Sequence, residues 1–574
     1  MDVVHSVKLY LNRMIEECGV GLKVLLMDKE TTSIVSVVFT QSAMLAKEVY
    51  LFERIDRCHL LENMKYLKCI VFVRPTRENM NHLCRELRSP KFGQYFIYFS
   101  NIISKTDVKM LAECDEYEVV RDIQEFYCDF IAVSPHLMSL NLSDGCYHGT
   151  LWKPECLERS VEGIISCLLA LRKYPTIRYQ SSSTMCQKLA ERVKHVLNKE
   201  GSLFNFKSSN YTGDTNIIPP VLLILDRRSD VVTPLLNQWT YQAMLHELLT
   251  INNNRINLSE VPTVSKEMKE VVLSAEHDEF YEQNMYLNYG EIGANIKALM
   301  EEFQTKTKSQ QKVETISDMK AFIEQYPQFK KMSGTVSKHV TLIGELSRLI
   351  TAFSLFEVSE AEQELACQSN HSESLKKVRR LISSENVRFI DALRLVLLYA
   401  LRYEKQSNSD LYGLTETLKK RAPHEGNPSK IVKQMLKFNL KNQSQNASDL
   451  LTTENMKSFT KNMIKGLKGV ENIYTQHSPM VKEVIEELAK GRLKASQYPY
   501  LGTVQLTEKP LEIVVFMIGG MTYEESLAVH QLNKCLGGAK VILCSTSIHN
   551  FSSFLNEVQN AATNISTVSS SSDF

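Results

Sequence analysis

Hydrophobic runs of strand length, separated by amphipathic stretches, organise the first 130 residues. Unbroken apolar runs, unlike an alternation of apolar and polar positions, are typical of strands in a parallel sheet that is buried on both faces. Four such runs occupy residues 23–27, 69–73, 95–100 and 129–133. The stretches between them, such as 77–88 and 108–126, predict helices that connect one strand to the next. The pattern predicts an N-terminal βαβ domain with right-handed crossovers.

Strand-like runs return on both sides of a long helical interval. Residues 221–225 form one run, and 513–517 and 540–544 form two more near the end of the chain. A single buried strand leaves the hydrogen-bonding groups of its edges unsatisfied. We therefore expect one sheet that takes strands from both sides of the interval, which makes the second α/β domain discontinuous.

The interval between these runs has helical periodicity. Apolar residues recur at helical spacing on two successive segments, separated by a polar link at 304–313, so the pair predicts a helical hairpin at about 290–345. Proline lacks an N–H and crowds the preceding turn, so Pro327 is expected to interrupt the second arm. The apolar positions are Ile292, Ile296, Leu299, Met300, Phe303, Ile316, Met319, Ile323 and Tyr326.

These patterns predict an α/β multidomain chain with a largely helical inserted domain. We expect domain 1 at 1–129, domain 2 at 130–238 and 476–562, and helical domain 3 at 239–475. Residues 563–574 are rich in serine and predict a disordered tail.

Composition and charge narrow the class of protein. Lys and Arg number 67 against 66 Asp and Glu, a net charge of +1, which predicts no overall attraction to nucleic acid. No apolar run approaches the ~20 residues that span a bilayer, and the N-terminus lacks the pattern of a secretory signal. We therefore expect a cytoplasmic monomer that does not insert into membranes.

The chemistry-bearing residues match no catalytic, metal or cofactor motif. None of the 13 cysteines forms a C-x-x-C pair, which indicates reduced thiols and no zinc site. The pair His246–Glu247 begins like a zinc-protease helix, but Thr250 stands where the second histidine is required. No glycine-rich phosphate loop and no G-x-S-x-G element is present. We expect no enzyme activity and no cofactor, with an α/β hydrolase whose site escapes motif search as a remote alternative.

Two carboxylates lie near the end of the 221–225 run. Asp226 and Asp230 invite comparison with aspartyl phosphotransferases, but those enzymes carry the second carboxylate two residues after the first, where this chain has Arg228. A strand end neutralised by Arg227 or Arg228 is the preferred interpretation.

The same segment carries a resemblance to a known family. It reads D-R-x-x-D-x-x-T-P-L and then T-Y-Q-A-M-x-H-E-L, and resembles the signature of the Sec1/Munc-like (SM) family, whose members regulate SNARE assembly. A second block, IGGMTYEES at 518–526, resembles the C-terminal element of that family. We interpret the matching residues as structural: Asp226, Arg227, Asp230, Thr233, Pro234, Leu235, Tyr241, Gln242, His246, Glu247, Gly519 and Gly520.

The resemblance implies an architecture and a function. Family members form an arch of three domains around a central cleft and bind syntaxin-type SNAREs while the SNARE complex assembles. The blocks KVLLMDKETTSIVS, INNNRI, KMSGTVSKHV and GLKGVENIYTQH are most similar to a branch that serves transport between the trans-Golgi network and endosomes, vacuole or lysosome. It implies peripheral association with those membranes through partners, among which a Rab effector is a candidate. An SM protein of another transport step and a Rab-linked tether are the alternatives.

Two contact regions follow from the resemblance. A pocket for the N-terminal peptide of syntaxin would fall on the helix SKTDVKMLAE and the helix after it, and would include Val108, Val120 and Glu125. Ordinary helix packing is the alternative interpretation of the two valines. The hairpin of the third domain would guide SNARE helices into register, with Pro327 as its hinge. A simple helix break is the alternative interpretation of this proline.

Overall fold

The structure, a computed structural model, describes residues 1–205, 218–262, 264–310, 316–367, 370–440, 473–502, 506 and 508–566. The chain divides into two compact units. Unit 1 contains Met1–Arg227, Val481–Met521 and Ala528–Ile548, and unit 2 contains Arg228–Met480, Thr522–Leu527 and the chain from His549 onward. The expected boundaries of three domains stay predictions.

The secondary structure alternates between short strands and helices in unit 1 and is mostly helical in unit 2. The strands are β1 (Lys23–Met27), β2 (Val49–Arg54), β3 (Met64–Val73), β4 (Phe92–Phe99), β5 (Val120–Glu125), β6 (Ile131–Ser134), β7 (Leu137–Ser139), β8 (Tyr147–His148), β9 (Leu151–Trp152), β10 (Thr176–Tyr179), β11 (Val221–Asp226), β12 (Arg255–Asn257), β13 (Glu270–Val272), β14 (Glu512–Ile518) and β15 (Lys540–Ser545). The helices are α1 (Val3–Glu17), α2 (Lys29–Val38), α3 (Gln41–Leu45), α4 (Arg77–Arg88), α5 (Lys105–Cys114), α6 (Pro154–Ala170), α7 (Thr184–Lys199), α8 (Tyr241–Leu249), α9 (Glu279–Asn284), α10 (Tyr289–Gln310), α11 (Ile316–Ala352), α12 (Leu355–Cys367), α13 (His371–Ile382), α14 (Phe389–Tyr403), α15 (Leu411–Arg421), α16 (Pro428–Phe438), α17 (Met480–Ala489), α18 (Tyr523–Cys535) and α19 (Phe551–Ser566). None of the helices described here is long and apolar enough to cross a membrane.

A five-stranded parallel sheet forms the first part of unit 1, in the order β2-β1-β3-β4-β5. The predicted runs at 23–27, 69–73 and 95–100 lie in its three central strands, which confirms the parallel domain. The two edge strands were not predicted. Edge strands are only half-buried, so polar residues interrupt their apolar pattern and weaken the sequence signal.

The predicted helix at 108–126 is wrong in its second half. Helix α5 ends at Cys114, and Val120–Glu125 forms strand β5 beside β4. The Asp115 carboxylate accepts hydrogen bonds from the backbone N–H groups of Val119 and Val120, both at 3.0 Å, and so fixes the start of the strand. The β-branched pair Val119–Val120 favours this extended conformation.

A six-stranded sheet forms the second part of unit 1, in the order β10-β11-β14-β15-β7-β6. Strand β11 pairs with β14 in parallel, with Leu223 opposite Val515, so strands from both sides of the helical interval share one sheet. This confirms the discontinuous α/β arrangement. The run at 129–133 was expected in a parallel sheet, but β6 is antiparallel to β7. The two residues between these strands permit only a hairpin.

The hairpin helices of unit 2 are longer than the sequence predicts. Helix α10 continues to Gln310, through most of the expected polar link, and α11 is one helix that includes Pro327. The expected interruption at this proline is therefore wrong. The reason is that a proline removes one hydrogen bond of a long ladder and bends a helix more readily than it ends it. Residues 311–313 of the link lie outside the described residues. Helix α19 extends to Ser566, so residues 563–566 of the predicted tail are helical. Residues 567–574 lie outside the described residues, and the disordered tail stays a prediction there.

Candidate functional site

The three residues of the expected syntaxin-peptide pocket lie on α5 and on strand β5 of unit 1. Val108 is 36 % exposed on α5, whereas Val120 is half-buried and packs against the core of the five-stranded sheet. The Glu125 carboxylate accepts hydrogen bonds from the backbone N–H of Ile103, at 2.8 Å, and from the hydroxyl of Tyr127, at 2.7 Å. Glu125 thus ties the segment that enters α5 to the edge strand. Of the three, Val108 offers the exposed apolar surface.

Four signature residues gather at the carboxyl ends of β11 and β14 in unit 1. Asp226 is fully buried; its Oδ1 lies 3.0 Å from the hydroxyl of Tyr147 and its Oδ2 2.6 Å from the hydroxyl of Ser183. The guanidinium of buried Arg227 donates a hydrogen bond from Nε to the carbonyl of Gly520, at 3.1 Å. The expected partner of Asp226 is Arg227 or Arg228, and local sequence does not reveal the two hydroxyl groups because Ser183 and Tyr147 lie about 40 and 80 positions earlier in the chain.

Gly519 is required by the same cluster. Its φ of +80° lies in the left-handed region, and a Cβ at this position would lie 2.1 Å from the hydroxyl oxygen of Tyr147. The Tyr147 hydroxyl also lies 3.2 Å from the carbonyl oxygen of Ile518. Gly519 of the second signature block therefore leaves space for the tyrosine that holds Asp226.

The first signature block continues in unit 2 with a capped turn. Asp230 accepts hydrogen bonds from the backbone N–H of Thr233, at 3.1 Å, and from its hydroxyl, at 2.6 Å. The same carboxylate accepts from the backbone N–H of Met480, at 3.2 Å. A 3₁₀ turn at Thr233–Leu235, with Pro234 inside it, follows the cap. Thr233 and Pro234 thus form a short turn, and α8 begins six residues after its last residue, Leu235.

Tyr241 belongs to a buried chain of hydrogen bonds. Its hydroxyl lies 2.7 Å from Nδ1 of His339 on α11, and Nε2 of His339 lies 2.9 Å from the carboxylate of Asp278, which caps α9. Lys338 forms an ion pair with the same carboxylate. These hydrogen bonds connect α8 and α9 to the long helix α11.

The two titratable groups that follow Tyr241 in these hydrogen bonds, His339 and then Asp278, have shifted pKa values. Burial lowers the pKa of His339, and the neighbouring Asp278 carboxylate offsets this effect only in part. Burial by itself raises the pKa of Asp278, but hydrogen bonds from His339 and Lys338 and the positive charge of Lys338 outweigh it, so the pKa is lowered. A neutral imidazole with its proton on Nε2 satisfies both contacts, because Nδ1 then accepts from Tyr241.

Glu247, near the end of the first signature block, belongs to a buried charge cluster. The guanidinium of Arg394, 1 % exposed, contacts Glu247 and lies 3.6 Å from Glu362 and 3.8 Å from Asp391. Glu362 also accepts two hydrogen bonds from Asn237, from its backbone N–H and its side-chain amide, both at 2.7 Å. Burial raises the pKa of Glu362 to about 7, although Arg394 opposes the shift.

His246 contributes to the packing of the same unit. Its Nδ1 accepts from the backbone N–H of Ile251, at 3.1 Å, and its carbonyl accepts from the amide of Asn550, at 3.0 Å. The described contacts of the signature residues thus lie inside the folded units. They stabilise the turns and helices that carry the exposed surfaces.

Comparison with known proteins identifies the family. The Sec1 family model matches residues 23–557. The chain is 56 % identical over 559 residues to Vacuolar protein sorting-associated protein 45 of Mus musculus, covering 97 % of this chain and 96 % of that protein. Identity to the Saccharomyces cerevisiae protein of that name is 35 %, covering 94 % of each. The solved structure of the SM protein Vps45 in complex with the Qa SNARE Tlg2 is similar, with a TM-score of 0.90 and 43 % identity over 98 % of this chain and 99 % of that one. From the buried signature clusters and these matches together, we conclude that the chain belongs to the Sec1 family.

Proposed function

We propose that this chain is an SM-type regulator of SNARE-mediated membrane fusion, which binds a syntaxin-type (Qa) SNARE and templates assembly of the SNARE complex. One observation carries the proposal. The similarity to Vps45 solved with the Qa SNARE Tlg2 extends over 98 % of this chain at 43 % identity, with a TM-score of 0.90. At that identity and coverage, the surfaces that contact a SNARE have counterparts on this chain.

The proposed mechanism is binding without chemistry. SNARE helices form from disordered chains, so ordering them opposes assembly. A rigid surface that binds them in the productive register lowers that entropic barrier and excludes wrong partners. The buried clusters around Asp226, Asp230 and Tyr241 support the rigidity of the two units. They also use the carboxylates that a hydrolytic site would need to expose.

The syntaxin N-terminal peptide is proposed to bind near α5 and β5. Val108 supplies an exposed apolar side chain, and Glu125 holds the entrance of α5 against the strand. A short peptide bound there keeps the rest of the SNARE at high effective concentration. Pro327 is proposed as the hinge of the hairpin formed by α10 and α11, since it removes one hydrogen bond inside α11.

The transport step is proposed from the relatives that bear the name vacuolar protein sorting. The chain would act between the trans-Golgi network and endosomes, vacuole or lysosome. It would associate with those membranes peripherally, through its SNARE and a recruiting partner such as a Rab effector.

The test is a pull-down with cytosolic domains of several syntaxins, each with and without its N-terminal peptide. Endosomal or trans-Golgi syntaxins should be retained best. Val108→Arg should weaken the peptide-dependent part about tenfold, because a charge is placed against an apolar peptide side chain. Val272→Arg, at an exposed valine of unit 2, is the control and should have no effect. Retention of no syntaxin would refute the proposed function.

The hinge is tested by SNARE assembly kinetics. Pro327→Ala restores the missing backbone N–H and should ease straightening of α11, which we expect to raise the rate of assembly. Gln328→Ala, at the next position, changes no backbone group and should leave the rate unchanged. Equal rates for the wild type and Pro327→Ala would remove the hinge from the mechanism.

A further inference from the structure

Positive charge is concentrated where α15 and α16 of unit 2 follow one another. Between residues 411 and 439 the chain carries five lysines and Arg421 against two glutamates, a net charge of +4. The whole chain of 574 residues carries only +1. The near-neutral total therefore conceals a strongly basic local segment.

The five lysines of this segment lie on exposed surface. Lys430, Lys433 and Lys437 recur at spacings of three and four residues, which places them on one face of α16. Lys419 and Lys420 lie in the last turn of α15, and six residues connect that turn to the first turn of α16. The opposite face of α16 is buried and consists of Ile431, Val432, Met435 and Phe438. We call the five residues Lys419, Lys420, Lys430, Lys433 and Lys437 the lysine patch.

Ion pairs within the described residues do not account for the patch. On the neighbouring helix α13, Arg379 pairs with Asp410 at 2.5 Å and Arg380 pairs with Glu357 at 3.2 Å. By contrast, no carboxylate of the described chain lies within 4.0 Å of the ammonium groups at positions 419, 420, 430 and 433. Arg379 and Arg380 of α13 are therefore neutralised locally, and these four lysines are not.

Helix stability does not account for the patch either. Lysines in the last turn of α15 are favoured by the helix dipole, but Lys430 lies in the first turn of α16, where a positive charge is unfavourable. That turn contains no acidic residue. Repulsion between Lys430 and Lys433, and between Lys433 and Lys437, destabilises the helix further. The arrangement thus opposes local helix stability, as expected for a binding surface.

The composition of the patch indicates the class of partner. Protein interfaces are depleted in lysine and enriched in aromatic residues and arginine, and arginine is preferred for paired hydrogen bonds to carboxylates and nucleic acid. Here the one arginine is used internally, since Arg421 donates hydrogen bonds to the carbonyls of Ile382 and Val387. Flexible ammonium groups, three of them on one face of α16 and two in the last turn of α15, suit a surface of many phosphates at no fixed spacing.

We propose that the lysine patch of α15 and α16 docks on the anionic phospholipid headgroups of a membrane surface. Each lysine near such a surface strengthens binding about fivefold, so the patch supplies a weak, reversible attachment that orients the molecule. The attachment is electrostatic and needs no insertion. The proposal does not depend on SNARE binding, because it rests on the charge and exposure of this patch alone.

The experiment is vesicle co-sedimentation of the full chain. Vesicles of phosphatidylcholine with about 30 mol% phosphatidylserine should bind the wild type, and vesicles of phosphatidylcholine alone should not. Raising the salt from about 50 mM to about 300 mM should release the protein, because the charges are screened. Substituting Lys419→Gln, Lys430→Gln and Lys433→Gln together should weaken binding about 100-fold.

A matched control separates the patch from net charge. The triple variant Lys266→Gln, Lys269→Gln and Lys297→Gln removes the same charge from exposed positions of the same unit and should change binding less than about threefold. Equal losses for the two triple variants would overturn the proposal, as would equal binding to both kinds of vesicle. Binding to polyaspartate without binding to the phosphatidylserine vesicles would assign the patch to an acidic protein and also overturn it.

Discussion

Glu362→Gln tests the electrostatics of the buried cluster that holds the signature residue Glu247. Glu362 is fully buried, lies 3.6 Å from the guanidinium of Arg394 and accepts two hydrogen bonds from Asn237. Burial raises its pKa from an ordinary value of 4.5 to about 7. Glutamine has nearly the same size, keeps one oxygen for Asn237 and cannot ionise. The variant therefore removes the titration while it preserves most of the packing.

The sign and size follow from the shifted pKa of Glu362. Between pH 4.5 and about 7 the folded state binds this proton more tightly than the unfolded state does. The resulting stabilisation is present below pH 4.5 and is lost as the pH rises through 7. The full effect is about 3 kcal/mol in the free energy of unfolding, and about 2.5 kcal/mol of it falls between pH 5 and pH 8. From pH 5 to pH 8, the free energy of unfolding of Glu362→Gln should therefore rise by about 2.5 kcal/mol relative to that of the wild type.

Tryptophan fluorescence during urea unfolding measures the effect. The chain has two tryptophans, Trp152 in unit 1 and Trp239 in unit 2. The ring of Trp239 stacks on Phe356, with centroids 4.7 Å apart, and donates a hydrogen bond to Ser359 on the helix that carries Glu362. In a Trp152→Phe background, the remaining fluorescence comes from Trp239 and reports the unfolding of unit 2, which contains Glu362.

Glu360→Gln is the matched control. Glu360 lies on the same helix, is 42 % exposed and pairs with Lys377 at 2.9 Å. An exposed pair contributes at most about 1 kcal/mol, so this variant should show no comparable dependence on pH. Groups shared by all three proteins, such as His339, cancel in the comparison with the wild type. If the free-energy difference between Glu362→Gln and wild type is the same at both pH values, Glu362 is ionised in the folded state and the reasoning is refuted.

Two further predictions concern the signature clusters. Gly519→Ala places a Cβ 2.1 Å from the Tyr147 hydroxyl oxygen at a φ of +80° and should destabilise unit 1 by about 3 kcal/mol, measured by urea unfolding. Gly537→Ala, at a φ of +48° in open space, should cost about 1 kcal/mol, and equal losses would contradict the steric explanation. Tyr241→Phe leaves buried His339 without its donor at Nδ1 and should destabilise unit 2 by about 2 kcal/mol in the same assay, whereas no loss would exclude that hydrogen bond.

Central strands were the most predictable elements. The run at 23–27 coincides with β1, and the run at 221–225 falls one residue short of β11. Both are buried on two faces, so every position must be apolar and the sequence carries the signal locally. The sequence also predicts that β11 pairs with a later strand, because a buried strand at 221–225 needs neighbours on both edges. The apolar runs at 513–517 and 540–544 can supply them.

Strand β5 and the unbroken helix α11 differ from the predictions because no comparable local pattern of apolar residues marks them. Strand β5 is a half-buried edge strand, and its polar positions fit a helix equally well. Helix α11 passes Pro327 because its length supplies enough other hydrogen bonds. The expected peptide pocket also differs from its prediction on two helices, because Val120 and Glu125 lie on strand β5 and only Val108 lies on a helix. The role of this pocket in peptide binding stays a prediction.

The sequence by itself determined the fold class, the discontinuous sheet and the family, because these depend on apolar periodicity and on residues close together in the chain. The tertiary structure decided which polar groups meet. Asp226 is held by Tyr147 and Ser183, Tyr241 contacts His339, and Glu362 acquires a raised pKa beside Arg394. The physical reason is that a hydrogen bond or a pKa shift depends on distances of a few ångströms between side chains that can be 147 positions apart. Folding sets these distances, and no local pattern encodes them.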